Sequence, residues 1–137
     1  MKRTAKAHWE GTLKEGKGTI STPSGVLENT NYSFKTRFEE GEKGTNPEEL
    51  LAAAHAGCFT MAVGAMLTAK GFKPTTLDTE AIVSMEGLAV TGVHLIMNGG
   101  AEGVSIEEFE AVVKEAEKTC IISKVLNVPI TSEVRFI

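Results

Sequence analysis

The apolar and polar positions of this chain change period along its length, and each change predicts an element. Residues 6–10, 18–21 and 32–38 carry β-branched or aromatic side chains between turn signals at Gly16–Gly18 and Pro23–Gly25, and predict an N-terminal antiparallel meander. Alternation over 32–38 places Arg37 on the face opposite Phe34 and Phe38. The polar stretch at 39–46, EEGEKGTN, reads as a loop. Helix signals follow at once: Asn46 suits a cap, Pro47 the first helical position, and Glu49 stands where a capping box puts its acid. From Leu50 to Ala69 there is no Asp, Glu, Lys or Arg. After Gly71 and Pro74 the period becomes two, with Leu77, Thr79, Ala81, Val83 and Met85 on one face of a strand. Val90 to Met97 reads as its hairpin partner. Ser105 and Glu108 form a second capping box, and Phe109, Val112, Val113 and Ala116 recur at helical spacing with Cys120 continuing the stripe. Thr119 is placed to cap a short last helix ending near Asn127, and Pro129 opens a final strand, ITSEVRF.

The charge-free run is long enough to cross a membrane. Its Ala, Gly, His and Thr content argues instead for a helix buried on most sides within protein. Ala52, Ala53, Ala56, Gly57 and Gly64 allow a second backbone to approach closely, and a chain of 137 residues cannot easily wrap such a helix alone. A subunit partner is therefore expected. The length fits one domain, residues 1–137, large enough to bury a proper core. Net charge is −4 with no basic run longer than two residues, which argues against nucleic acid or an anionic membrane as partner. The N-terminal MKRTAKAHWEG is basic but lacks an apolar segment after it, so the expected compartment is the reducing cytoplasm. The sequon at Asn31–Ser33 is then without consequence, and so is the P-loop-like GTLKEGKG at 11–18, whose Gly18 replaces the required hydroxyl.

The two cysteines carry the candidate chemistry. Cys58 lies in the apolar helix and Cys120 beside the start of the last one. Either can be a small core hydrophobe. A reactive thiol needs a cation nearby, because an apolar setting alone disfavours the thiolate. Arg37 is the nearest candidate in sequence, and Glu48 is the natural carboxylate to hold it. Glu48 stands ten residues before Cys58, roughly 15 Å along one helix axis, so it cannot serve the Cys58 of its own helix directly. A contribution to that thiol comes most simply from a neighbour across a two-fold axis. Glu49 is expected to do no more than decorate the helix start. A metal site built on His55, Cys58 and Cys120, with His94 or His8, is the rival constellation, but its spacing matches no zinc signature.

The segments AHWEG, GKGTISTPSGVL, TRFEEGEKGTNPEELLAAAHAGCF and TCIISKVLNVPIT resemble the osmotically inducible protein C family, sister to the organic hydroperoxide resistance proteins. The resemblance runs over nearly the whole chain. It implies an α+β fold forming an intertwined homodimer: N-terminal antiparallel strands, a long central helix, a second β-hairpin, two C-terminal helices and a final strand. It also implies a thiol-dependent peroxidase for organic hydroperoxides, and more weakly hydrogen peroxide, in oxidative or osmotic stress. Cys58 of AGCF would be the peroxidatic thiol and Cys120 the resolving one. Arg37 of TRF would stabilise the thiolate and Glu48 of NPEEL would orient that arginine. No metal or organic cofactor is implied. The reductant would be an external dithiol or a lipoylated protein. Phe59, Met61 and Leu51 are expected to wall the thiol and to favour apolar peroxides. Members often carry Pro after the second cysteine, whereas this chain has Ile121, which loosens the expected placement of Cys120. The competing class is a non-enzymatic module that binds a hydrophobic ligand or senses redox state.

Overall fold

The structure is a computed structural model and describes all residues, Met1–Ile137. Two compact units divide it, Met1–Leu50 and Leu51–Ile137. The first holds an antiparallel sheet in sequence order: β1 (Lys6–Glu10), β2 (Lys17–Ser21) and β3 (Thr30–Tyr32). Gly18 in β2 lies under the rings of Trp9 and Tyr32, where any Cβ would collide with both. The strand expected over 32–38 stops at Tyr32, and Phe34–Phe38 forms a short helix, α1. The reason is local. Ser33 Oγ accepts from the Thr36 N–H at 3.2 Å, and the Ser33 N–H donates to Thr36 Oγ1 at 2.7 Å, a reciprocal cap. The helical turn then stacks Phe34 on Phe38 at 5.0 Å, so these rings are neighbours one turn apart.

Helix α2 (Pro47–Ala69) starts as its signals predict. Asn46 Oδ1 accepts from the Glu49 N–H at 2.7 Å, while the Glu49 carboxylate turns to Thr45 Oγ1 at 3.0 Å and so leaves the expected capping box half made. Asn46 Nδ2 also donates to the Thr36 carbonyl at 3.0 Å, tying the start of α2 to α1.

In the second unit, β4 (Lys73–Glu86) and β5 (Ala89–Glu102) form the expected hairpin around Gly87–Leu88, with Gly87 at φ +62° as a primed two-residue turn requires. Helices α3 (Ile106–Thr119) and α4 (Ile121–Val125) then return the chain to β6 (Ile130–Phe136), which pairs in parallel with β5. A parallel neighbour needs such a crossover, and α3 supplies its bulk. The Ser105–Glu108 capping box is present. Thr119 is not the cap of the last helix: its hydroxyl donates back to the Glu115 carbonyl, Cys120 takes the cap position, and α4 ends at Val125 rather than near Asn127.

The core of this unit joins Phe59, Val63 and Leu67 of α2 to Val93, Leu95 and Met97 of β5 and to the apolar stripe of α3. Each large side chain buried there contributes about 1.5–3 kcal/mol. Helix α2 has the length and composition of a membrane span, yet it lends one stripe, His55–Phe59–Val63–Leu67, to a protein core. Its other faces are not wrapped by the chain; Ala53, Gly57, Met61 and Ala65 are exposed, Met61 by 77%.

Candidate active site

Arg37 and Glu48 meet in the first unit. The α1 cap puts Arg37 in that helix's last turn, and the Asn46 cap opens α2 one residue before Pro47, so Glu48 stands in its first turn. Arg37 Nε donates to Glu48 Oε1 at 2.7 Å. The glutamate side chain is 13% exposed and the arginine 43%. The contact is single, through Nε, so it holds the guanidinium without using its outer nitrogens. Arg37 also lies over the Phe38 ring, with its Cζ 5.3 Å from the ring centroid, a cation–π contact. Beside it opens an apolar cavity of about 260 Å³ lined chiefly by Trp9, Leu13, Tyr32, Phe34, Arg37 and Phe38. Glu48 Oε2 is buried with no partner.

The two thiols lie in the second unit, and both are free. Cys58 is half-buried and packs against the core cluster that contains Cys120. Cys120 is 3% exposed and caps α4, its sulfur accepting from the Ser123 N–H at 3.3 Å. Ser123 Oγ is 3.0 Å from that sulfur and 2.7 Å from His55 Nε2. A buried row of three polar groups thus runs from α4 to α2, ending one turn before Cys58. Burial holds the His55 imidazole below its ordinary value of 6.5. Its Nδ1 has no partner.

The expected pairing of Arg37 with Glu48 is present, although Arg37 stands on a helix and not on a strand. Glu49 lends its N–H to the Asn46 cap and its carboxylate accepts from Thr45 at the helix start. Phe59 belongs to the core stripe, fully buried, and so cannot wall an open pocket; Met61 and half-buried Leu51 remain for that role. No three His, Cys, Asp or Glu side chains converge as metal ligands. His55 faces Ser123, and His94 lies between Thr131 and Glu133 at 2.7 and 2.9 Å. Sequence reasoning missed Ser123. Its signal was the spacing Cys120-x-x-Ser123, that of an N-cap and its third helical residue.

Residues 40–135 match the family model described as OsmC-like protein. The chain is 48% identical over 133 residues to the protein named peroxiredoxin OsmC of Escherichia coli strain K12, covering 94% of this chain and 92% of that one. It is 36% identical over 102 residues to the organic hydroperoxide resistance protein OhrA of Bacillus subtilis strain 168, covering 72% of each. Among solved structures, OhrB of Bacillus subtilis superposes with a TM-score of 0.69 at 26% identity, over 96% of this chain and 98% of that one. An OsmC-like protein from Mycoplasma pneumoniae superposes with a TM-score of 0.76 at 17% identity, over 100% and 98%, a likeness of fold alone. Full-length identity, the family match and the shared α+β architecture agree: this chain belongs to the OsmC-like protein family.

Proposed function

We propose that the chain is a thiol-dependent peroxidase that reduces organic hydroperoxides, and hydrogen peroxide less well, working as a homodimer. The observation that carries the reading is the 48% identity, over nearly the whole chain, to a protein named as a peroxiredoxin. The Arg37–Glu48 pair supports it, because a guanidinium held by one nitrogen keeps donors for a thiolate and a peroxide oxygen. The apolar cavity beside Arg37 supports the preference, since only peroxides with an apolar tail gain from burial there.

In this mechanism the Cys58 thiolate attacks the terminal peroxide oxygen. An S–O bond forms, the O–O bond breaks, and the alkoxide leaves and takes a proton as the alcohol. Arg37 neutralises the thiolate and the developing oxyanion, and Glu48 orients it. Cys120 then attacks the Cys58 sulfenic acid, forming the disulfide and releasing water before oxidation climbs to the sulfinic acid. An external dithiol or lipoylated protein reopens the bridge by exchange, which suits a reducing, cytoplasmic setting. Glu48 and Cys58 stand ten residues apart on one helix, roughly 15 Å along its axis, so Arg37 and Glu48 are assigned to the Cys58 of a partner subunit. The unwrapped faces of α2 supply an apolar surface for that partner.

The test uses reduced protein and cumene hydroperoxide. Peroxide consumption with a Cys58–Cys120 disulfide found by peptide mass mapping is the expected result, and Cys58→Ser should lose turnover by at least about a thousandfold. Wild-type protein that consumes no peroxide, or a Cys58→Ser variant at full turnover, defeats the proposal and leaves a hydrophobic-ligand or redox-sensing module as the reading.

A further inference from the structure

We propose that Ser123, positioned by His55, is the hydrogen-bond donor that stabilises the Cys120 thiolate, both when it attacks the Cys58 sulfenic acid and when it leaves during reduction. The inference rests on the thiol cycle above for its partners and on the buried His55–Ser123–Cys120 row for its geometry.

The direction of the row follows from counting donors. The Cys120 sulfur already accepts from the Ser123 N–H at 3.3 Å. His55 is fully buried and its Nδ1 has no hydrogen-bond partner. A buried N–H without a partner is rarer and costlier than a bare lone pair, so the proton of the neutral ring sits on Nε2. His55 Nε2–H then donates to Ser123 Oγ, and the Ser123 hydroxyl is left to donate to the sulfur. Two donors from one residue converge on a sulfur that is 3% exposed and has little water to stabilise its charge.

Such an arrangement acts on two steps. In the first, the Cys120 sulfur supplies an electron pair to the Cys58 sulfur, the S–O bond breaks, and the departing hydroxide takes a proton to become water. In the second, the thiolate of an external dithiol attacks the half-buried Cys58 sulfur. The protein S–S bond breaks, Cys120 departs with the electron pair, and the Ser123 hydroxyl and N–H receive it. The second thiol of the dithiol then displaces Cys58, so the dithiol ends oxidised and both protein thiols reduced. A better-stabilised leaving thiolate departs faster. Ser123 touches a reacting atom and is a catalytic residue; His55 acts through it and is a positioning residue.

Ser123→Ala removes the hydroxyl alone and decides the matter. With one equivalent of cumene hydroperoxide, its first step, read as the rate at which that peroxide is consumed in a single turnover, should stay within about twofold of wild type, because the lost bond is not made there. Disulfide formation, and reopening by dithiothreitol, should each slow about ten- to hundredfold, the worth of a hydrogen bond to a charged group. His55→Leu should show the same two losses, whereas His55→Gln, which keeps an N–H donor, should restore both to within about threefold of wild type. A merely structural role would lower thermal stability in both His55 variants without this split between steps. If His55→Leu does not fold, Ser123→Ala and His55→Gln carry the test. Disulfide made with diamide gives a peroxide-independent arm: should the wild type ignore peroxide, the peroxidase reading fails, and the reopening rate still decides the role of Ser123. Folded Ser123→Ala with wild-type rates in both steps overturns the inference, as does a protein in which neither oxidant joins Cys58 to Cys120.

Discussion

His55 is enclosed completely, with one ring nitrogen on Ser123 and the other without a hydrogen-bond partner. Burial is the sole cause of its lowered pKa, so the folded chain disfavours the imidazolium. The unfolded chain takes up that proton near 6.5. Below this pH the unfolded state binds more protons than the native one, and stability falls as pH falls. Glu133 acts in a lower window. The hydrogen bond from His94, and then the charge of Arg135, hold its exposed carboxylate below the ordinary 4.5, so its contribution is lost only as pH drops through that region. A thermal-melting series from pH 8 to pH 5 therefore reads His55 with little interference. The wild-type midpoint should decline below pH 6.5, and His55→Gln should show a flatter profile; parallel profiles for the two proteins would remove His55 as the cause.

Helix α2 decides most at the scale of elements, because two of its edges do different work. The stripe from His55 to Leu67 is core, and the opposite side, with Met61 and Gly57, is apolar yet exposed. If that side is the subunit interface, a charge there must be desolvated on association at a cost of several kcal/mol. Met61→Asp should leave the melting of the isolated chain nearly unchanged and shift the sedimentation mass from dimer toward monomer at micromolar concentration. A wild-type chain that sediments as a monomer would already contradict the assignment. Elements of this kind were legible in the sequence: α2, the β4–β5 hairpin and α3 each combine a sustained period with a cap or turn. Residues 34–38 were not, because Phe34, Thr36 and Phe38, alternating with Lys35 and Arg37, satisfy a strand pattern equally well. Two side-chain hydrogen bonds between Ser33 and Thr36 settle that choice, and no periodicity reports them. The site was legible in part. The Arg37–Glu48 partnership followed from charge logic, and the roles proposed for the cysteines came from family resemblance. The contact of His55 with Ser123 spans 68 residues and exists only because the folded core brings α2 to α4.

At the scale of the whole molecule, one helix carries both the carboxylate that holds Arg37 and the thiol proposed to need it, ten residues apart along its axis. That spacing makes a strong claim about assembly: each working site takes its thiol from one subunit and its arginine from the other. Complementation tests it. Cys58→Ser and Arg37→Met homodimers should each be nearly inactive, since both sites of either dimer lack a needed group. When the two variants are unfolded together and refolded at equal concentration, random pairing makes about half the dimers mixed. A mixed dimer with shared sites concentrates both lesions in one site and leaves the other whole, so the preparation should recover about a quarter of wild-type peroxide turnover. Sites built within single chains leave every site of a mixed dimer with one lesion, and the mixture stays as inactive as its parents. Refolded wild type sets the scale of full recovery, so a mixture that regains mass as a dimer but no activity places Arg37 and Cys58 of one site in the same chain.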